Sequence, residues 1–309
     1  MQDEKLVITV PASSANLGPG FDSIGLAVDR YLTLEAEPAP EWHFSSDSAE
    51  LQDIPEGKEN FIYVAAEELA RQLGLELPPC RVKMTSDIPL ARGLGSSAAA
   101  IIAAVELADQ LTGASLSKKE KMRFASLWEG HPDNVGPCLY GGLLVGAHSQ
   151  EATDMVHCGV PGVDLVMVIP AAELMTKKAR GILPEQVEYH QAIRGSSVSN
   201  VLVAALIKGE WELAGKMMGQ DVFHHPYRAK LVPGLEDIME HAKEYGAYGA
   251  ALSGAGPTVM CLAPRGSGET VRKQLQLDFP DFDVQTAQPD GFGASTKYVQ
   301  MSGDSTMSM

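Results

Sequence analysis

Hydrophobic positions in the first half of the chain follow two periods. Apolar side chains alternate with polar ones, or form short runs, in three segments that we predict to be strands: 5–10, 26–37 and 80–88. Apolar side chains recur three and four positions apart in three segments that we predict to be helices: 59–74, 96–111 and 115–130. Ser117 and Glu120 stand three positions apart near the start of the last helix, which predicts a capping box.

The second half mixes strands and helices without a regular repeat. Apolar runs at 141–147 and 163–169 predict strands, and we place a domain boundary between them, giving domains 1–155 and 156–309. Helical patterns predict four further helices: 184–208, 210–219, 235–245 and 267–276. Later strands are predicted on both sides of a glycine loop within 247–264, at 282–287 and from 296. Because strands and helices do not alternate strictly, the pattern favours an α+β fold over a doubly wound sheet.

Composition and charge narrow the class of protein. The chain has 309 residues, 45% hydrophobic and 21% charged, which is typical of a globular protein with room for two domains. Its 40 acidic and 24 basic residues give a net charge of −16 without a basic cluster, so we expect no nucleic acid and no membrane as a partner. The four widely spaced cysteines argue against a zinc site and against a disulfide framework. No leader pattern and no apolar run of ~18 residues is present, so we expect a cytoplasmic enzyme.

The segment 93–98, Gly-Leu-Gly-Ser-Ser-Ala, lies where a predicted strand gives way to a predicted helix. It fits a loose G-x-G-x-x-A dinucleotide fingerprint, but a second helix follows where that fold needs a strand with an acidic end. A Walker A loop needs a lysine after its last glycine, and none is present. Two interpretations stay open: an anion site made by the free amides of a helix start, or a helix cap packed into the core.

Three glycine-containing motifs accompany one another along the chain: PASSANLGPGFD at 11–22, PLARGLGSSAA at 89–99 and LSGAGPTV at 252–259. In sequence, order and spacing they resemble the motifs of the GHMP kinases, a family whose members phosphorylate galactose, homoserine, mevalonate or phosphomevalonate. The first motif and three shorter stretches are most similar to the branch of the family that phosphorylates homoserine. These stretches read HPDN, ARGILP and PYRAKLVPG.

The resemblance implies a two-domain α+β fold with an active site in the cleft between the domains. The N-terminal domain would be ribosomal-protein-like and the C-terminal domain ferredoxin-like. ATP is the implied co-substrate, and Mg²⁺ is the implied metal, bound by Ser97 and Glu129. The implied nucleotide cradle consists of Pro89, Leu90, Ala91, Arg92, Gly93, Leu94, Gly95, Ser96, Ser97, Ala98 and Ala99.

The implied acceptor, L-homoserine, is a zwitterion that carries a hydroxyl. Its implied binding residues are Asn16, Asp22, His131, Asn134, Arg180, Arg228 and Gly254. The arginine forks suit the carboxylate and Asp22 suits the ammonium, although Asn16 and Asp22 also suit turns. Among the catalytic residues implied, Asn134 would orient the hydroxyl and Ser97 would lie beside the metal. The alternative to Asn134 orienting the hydroxyl is that Asp133 acts as a general base. The alternative for Arg180 and Arg228 is that each is an ordinary surface charge.

The implied reaction is the ATP-dependent phosphorylation of the homoserine hydroxyl to O-phospho-L-homoserine, a step of threonine biosynthesis. A mevalonate-type kinase is one alternative; its acceptor lacks the ammonium that Asp22 would bind. A catalytically inactive metabolite sensor of the same fold is the other. The resemblance also allows a homodimer, although no pattern in the sequence marks an interface.

Overall fold

The computed structural model describes residues 4–300, which contain eleven strands and ten α-helices. The strands are Glu4–Ala15 (β1), Ile24–Pro38 (β2), His43–Ser46 (β3), Cys80–Ser86 (β4), Leu143–His148 (β5), Thr153–His157 (β6), Val163–Ile169 (β7), Gly249–Leu252 (β8), Val259–Pro264 (β9), Asp283–Ala287 (β10) and Ser295–Gln300 (β11). The helices are Phe61–Leu73 (α1), Ser96–Thr112 (α2), Lys118–Glu129 (α3), Val135–Tyr140 (α4), Thr176–Arg180 (α5), Tyr189–Lys208 (α6), Trp211–Met218 (α7), His225–Arg228 (α8), Leu235–Glu244 (α9) and Gly268–Asp278 (α10).

The first sheet has seven strands and is built around the long strand β2. Its order is β11-β1-β2-β4-β3, with β5 paired to β2 and β6 paired to β5. The length of β2 lets one edge serve two partners, β5 along Ile24–Leu26 and β4 along Leu32–Pro38. Helix α2 packs against β1 and against α1, α3 and α4. Because neighbouring elements cover α2 on nearly all sides, its residues are apolar on nearly all sides, as is usual for a helix buried in the core.

The second sheet has the antiparallel order β10-β7-β9-β8. Alternate residues of β7 face opposite layers: Leu165 and Met167 join the core shared with the first sheet, whereas Val166 and Val168 join a second core under α9 and α10. Both faces of the strand are therefore buried. A strand buried on both faces reads as a continuous apolar run, which is why 163–169 could be predicted from sequence.

The α+β prediction is confirmed, as is the capping box between Ser117 and Glu120. The stretch between the predicted strands 141–147 and 163–169, where we place the domain boundary, contains a further strand, β6, which pairs with β5. Helix α6 begins at Tyr189 rather than at 184, because the backbone of Glu188, its N-cap, is not helical (ψ 139°). The last strand, β11, pairs with β1 of the first sheet. The exact domain boundary stays a prediction, and no helix within 4–300 has the length and apolar character to span a membrane.

Candidate active site

The loops of the three glycine-containing motifs meet in the folded chain. Asn16 Nδ2 donates to the Gly254 carbonyl at 3.0 Å, and the Gly254 amide donates to the Ala15 carbonyl at 3.0 Å. The Ser253 hydroxyl donates to the Gly93 carbonyl at 2.7 Å. Together the loops enclose one side of a cavity. The cavity is lined by Asn16, Phe21, Asp22, Ala91, Gly93, Gly95, Ser96, Ser97, Glu129, His131, Asp133, Asn134, Leu174, Thr176, Arg180, Arg228, Gly254 and Ala255.

The glycine loop before α2 can take its shape only with glycine at two positions. Gly93 and Gly95 have φ of 77° and 69°, in the left-handed region. A Cβ on Gly93 would lie 2.3 Å from the Ser253 carbonyl oxygen, and a Cβ on Gly95 would lie 2.1 Å from the Ser13 hydroxyl. Gly95 is also the N-cap of α2, and no side chain among residues 4–300 caps that helix end. The first amides of α2 are therefore open to the cavity, where they can bind an anion.

Two side chains with oxygen atoms that could bind a metal ion lie beside these amides: Glu129 and Ser97. Glu129 is the last residue of α3, which ends there because Gly130 adopts a left-handed φ of 90°. Ser97 belongs to the first turn of α2 and lines the same cavity. Burial raises the pKa of Glu129, and the Asp133 charge adds to this, against the opposing effects of His131, Arg180 and the Ser97 hydroxyl. A carboxylate and a hydroxyl next to an anion site fit a hard cation that prefers oxygen ligands, such as Mg²⁺.

Asp22 and Arg180, which line the same cavity, form an ion pair. Arg180 Nη1 donates to Asp22 Oδ2 at 3.0 Å and Nη2 donates to Oδ1 at 2.6 Å, so the guanidinium binds both carboxylate oxygens. Asp22 has a φ of 54°, which holds its side chain at the end of the β1–β2 loop. Arg180 is the last residue of α5.

Arg228 of α8 is buried but has no carboxylate partner within ion-pair distance among residues 4–300. Its guanidinium donates to the carbonyls of Ala179 at 3.2 Å and Gly254 at 2.9 Å, and contacts His224 Nδ1 at 3.4 Å. Burial lowers the pKa of Arg228 to about 10, and the positive charge of Arg180 contributes. Arg228 is still protonated at neutral pH. A charged, buried and unpaired guanidinium facing a cavity is suited to an anionic group of a ligand.

Phe21 contacts both arginines and is not among the site residues that the sequence predicts. The guanidinium carbons of Arg180 and Arg228 lie 5.5 and 5.4 Å from the centre of its ring. At that distance the ring face attracts both cations and holds them in place. The only signal in the sequence was an aromatic residue in the PASSANLGPGFD motif, next to Asp22.

Three residues of the HPDN segment also line the cavity: His131, Asp133 and Asn134. Asn134 is the N-cap of α4, and its Oδ1 accepts a hydrogen bond from the Ser13 hydroxyl at 3.0 Å. This bond fixes the amide and leaves Nδ2 as the donor available to a ligand. His131 Nδ1 is hydrogen-bonded to Asp133 Oδ1. Burial alone would lower the pKa of His131, but the Asp133 hydrogen bond and the charges of Asp133 and Asp22 raise it above its ordinary value.

Comparison with known proteins identifies the family. The family model for the GHMP kinases N terminal domain matches residues 60–142, and the GHMP kinases C terminal model matches 202–281. A homoserine kinase of Halalkalibacterium halodurans is 62% identical over 94% of this chain and 95% of its own length. The chain belongs to the GHMP kinase family.

Further relatives agree with this assignment. A homoserine kinase of Shouchella clausii is 51% identical over 95% of this chain and 98% of its own length. The crystal structure of homoserine kinase from Cytophaga hutchinsonii has a TM-score of 0.83 and 30% identity, and the match covers 96% of this chain and 98% of that one. The chain is thus an ATP-dependent kinase that phosphorylates an alcohol, with the two-domain α+β fold of the family.

This GHMP kinase has a second, mostly apolar cleft that the sequence did not reveal. Ser96 and Ser97 line it as well as the first cavity, so the two spaces meet at the start of α2. Its other residues come from distant segments, and no spacing in the sequence links them. They are Leu32, Leu51, Ile54, Pro55, Asn60, Phe61, Ile62, Met84, Ser86, Ile88, Leu90 and Ala100.

Not every residue of the predicted nucleotide cradle lines the cavity. Ala91, Gly93, Gly95, Ser96 and Ser97 do, and Leu90 lines the second cleft. The side chains of three others are buried in the hydrophobic core, so they can offer a nucleotide only backbone atoms: Leu94, Ala98 and Ala99. All seven predicted substrate-binding residues line the cavity: Asn16, Asp22, His131, Asn134, Arg180, Arg228 and Gly254.

His224 and His225 have structural partners close to Arg228. Asp221 Oδ2 accepts the amides of His224 and His225 at 2.9 and 2.6 Å. His224 Nε2 bonds the Gly18 carbonyl at 2.8 Å, and His225 Nε2 accepts the Leu252 amide at 3.0 Å. Asp221 and the two histidines are close enough to surround an ion, but backbone groups already engage one nitrogen of each ring. These side chains hold the start of α8 against the first and third motif loops.

Proposed function

We propose that this kinase transfers the γ-phosphoryl group of ATP to the side-chain hydroxyl of L-homoserine, giving O-phospho-L-homoserine for threonine biosynthesis. The observation that carries the proposal is a single cavity lined both by the open amides at the start of α2 and by the guanidinium of Arg228, which has no carboxylate partner among residues 4–300. The similarity to homoserine kinases over most of the chain supports the same acceptor.

The triphosphate would lie against the amides of Gly93, Gly95 and Ser96 at the start of α2. Because the chain carries a net charge of −16, an anion needs strong local donors, which the uncapped helix end provides. The adenine ring would occupy the adjacent apolar cleft, where Ile62 and Leu90 provide apolar contacts and Asn60 and Ser86 provide polar ones.

Ser97 and Glu129 would hold Mg²⁺ next to the phosphates. The raised pKa of Glu129 reflects a partly desolvated carboxylate, which a cation would stabilise. A bound Mg²⁺ would neutralise phosphate charge as the phosphoryl group moves.

Homoserine would bind between the arginines and Asp22. Its carboxylate would take the position facing Arg228 and Arg180, and its ammonium would face Asp22. Phe21 would keep the two guanidinium groups in position. The hydroxyl would then point toward the amide end of the cavity, where Asn134 Nδ2 donates a hydrogen bond to its oxygen.

In the reaction, the homoserine oxygen forms a bond to the γ-phosphorus as the bond from that phosphorus to the β–γ bridging oxygen of ATP breaks. Asn134 cannot accept a proton at neutral pH, so its part is to orient the hydroxyl. The proton leaves through the phosphate or solvent. Asp133 as general base is the alternative; its Oδ1 is already engaged by His131.

An ADP-release assay with an acceptor panel tests the proposal. The purified enzyme is given ATP and Mg²⁺ with L-homoserine, mevalonate, galactose or shikimate in separate reactions. We expect turnover with homoserine at least about a hundredfold above the other acceptors. Preference for mevalonate would refute the assignment of the acceptor, and no turnover with any acceptor would favour a sensor.

A further inference from the structure

We propose that Arg92 is a positioning residue that couples the nucleotide loop to the segment carrying Arg180, and is not a phosphate ligand. The part that concerns Arg180 rests on the proposed function, in which this arginine binds the acceptor. The coupling itself concerns only the nucleotide loop and residues 170–180.

The Arg92 guanidinium spans the gap between the two segments. Nη1 donates to the Leu90 carbonyl at 2.8 Å, within its own loop. Nε and Nη2 donate to the carbonyls of Pro170 and Ala171, at 3.2 and 2.9 Å. Three of its five N–H groups are therefore committed to backbone carbonyls. Arg92 is absent from the cavity lining, although Ala91 and Gly93 on either side of it line the cavity.

A second contact joins the same two segments. The Leu174 amide donates to the Ala91 carbonyl at 3.0 Å. The segment from Pro170 to Leu174 follows β7 and leads directly into α5, where Arg180 is the last residue. It is thus attached to the nucleotide loop at its start by Arg92 and at its end by Ala91.

The chemistry of this contact requires an arginine. Carbonyls on two segments must be bonded at once, and a rigid planar fork with five donors does this with little loss of side-chain freedom. A lysine ammonium keeps the charge, but its single nitrogen cannot span both segments with the same geometry. Glu173 Oε1 lies 3.8 Å from Nη1, and the Glu173 side chain is 60% exposed, so this ion pair adds little.

As a consequence, the site that binds the nucleotide is connected to the site that binds the acceptor. When a triphosphate binds and orders residues 91–97, the guanidinium and the Ala91–Leu174 bond restrain 170–174 and hence α5. Arg180 is then held ready for the acceptor. By linkage, an acceptor that binds Arg180 would strengthen nucleotide binding by the same factor.

Hydrogen exchange of the full-length enzyme tests the coupling without any acceptor. The probe is the ATP analogue AMP-PNP with Mg²⁺, and the readout is the exchange rate of amides in 172–180 and in 96–100. In the wild type we expect AMP-PNP to slow exchange in both segments, by about fivefold or more in 172–180. In Arg92→Ala and Arg92→Lys we expect the protection of 172–180 to disappear while that of 96–100 persists. Glu173→Gln is the matched control and should behave as the wild type.

Three outcomes would overturn the proposal. The first is a wild type in which AMP-PNP leaves 172–180 unchanged. The second is retention of that protection in either Arg92 variant; retention in Arg92→Lys alone would show that charge suffices. The third is loss of protection at 96–100 in a folded Arg92 variant, which would make Arg92 a direct phosphate ligand.

Circular dichroism checks that each variant is folded, and Arg92→Lys serves if Arg92→Ala is unfolded. Failure of homoserine turnover would count against the proposed function alone, because this experiment contains no homoserine.

Discussion

Asp22 and Arg180 bind each other through two hydrogen bonds in the lining of the active-site cavity, at 2.6 and 3.0 Å. Both residues are expected to bind the substrate, one its ammonium and the other its carboxylate. A zwitterion can replace this pair completely, because it brings a partner for each charge. An acid without an ammonium would satisfy Arg180 and leave Asp22 unpaired, which is costly in a partly buried site. The ion pair therefore favours amino acids over simple hydroxy acids.

Replacing Asp22 should weaken selection for the ammonium. In Asp22→Asn we expect the KM for homoserine to rise about tenfold to a hundredfold, because a charge-assisted contact is lost, while the KM for ATP changes less than about threefold. The preference for homoserine over 4-hydroxybutyrate should shrink at the same time. Steady-state kinetics with both acceptors measure this. Asp53→Asn, at an exposed position outside the cavity, is the control. Equal losses for ATP and homoserine would argue against an ammonium site.

Arg228 should matter for the acceptor carboxylate. In Arg228→Met we expect kcat/KM for homoserine to fall by about a hundredfold or more, since the only buried guanidinium without a carboxylate partner among residues 4–300 is removed. Arg228→Lys should recover part of the activity but not the two-pronged contact. The variants are compared by initial rates and by calorimetric titration of AMP-PNP. Unchanged homoserine kinetics in a folded Arg228→Met enzyme would contradict this role. Arg194→Met, on the exposed side of α6, should resemble the wild type.

The parts of the site that could be predicted from sequence are those set by local chemistry. Gly93 and Gly95 are required by the backbone of one short loop, so a motif of adjacent residues records them. The ion pair of Asp22 and Arg180 joins positions 158 apart in sequence. Each residue could be matched to a motif, but their pairing depends on how α5 is placed against the β1–β2 loop. No local pattern contains that information.

The same limit explains why the sequence does not reveal the apolar cleft or the contacts of the Arg92 side chain. The apolar cleft beside α2 is assembled from segments between Leu32 and Ala100 whose hydrophobic residues read simply as core. Arg92 lies inside the nucleotide motif, which predicts a contact with the nucleotide, whereas its side chain donates to carbonyls of the segment after β7. Position in a motif identified the neighbourhood of the residue but not the direction of its side chain.

Glu129 should determine the response to Mg²⁺. In Glu129→Gln we expect kcat to fall by at least about a hundredfold and the Mg²⁺ concentration for half-maximal rate to rise, because a neutral amide is a poorer ligand than a carboxylate. Rates are measured over a range of Mg²⁺ at saturating ATP and homoserine. Glu236→Gln, in the first turn of α9, is the control. A lower kcat with an unchanged Mg²⁺ requirement would show that Glu129 acts in some way other than by binding the metal.

Stability should decline in mild acid because of His224. Burial lowers the pKa of His224 from its ordinary 6.5 to about 3. The unfolded chain therefore takes up a proton below pH 6.5 that the folded chain does not. The resulting contribution to stability is fully present above pH 6.5 and is lost as the pH falls toward 3, by about 1.4 kcal/mol per pH unit for one such group. Urea unfolding at pH 7 and pH 5 measures this. The slope should be smaller in His224→Gln and unchanged in His190→Gln, at an exposed position of α6. Equal slopes in all three proteins would exclude His224 as the cause.

The two ends of α2 provide a matched test of the phosphate loop. Gly95 and Gly113 flank the helix and share a φ of 69°, so alanine brings similar backbone strain of about 1–3 kcal/mol at either position. Their surroundings differ: a Cβ at Gly95 would lie 2.1 Å from the Ser13 hydroxyl, whereas a Cβ at Gly113 would meet no atom of the described part of the chain within 4 Å. In Gly95→Ala we expect the loop to shift and AMP-PNP affinity to fall at least about tenfold, as measured by calorimetry. Gly113→Ala should lose only stability and keep its affinity. If Gly95→Ala bound AMP-PNP as tightly as Gly113→Ala, the phosphates could not rest on this end of the helix.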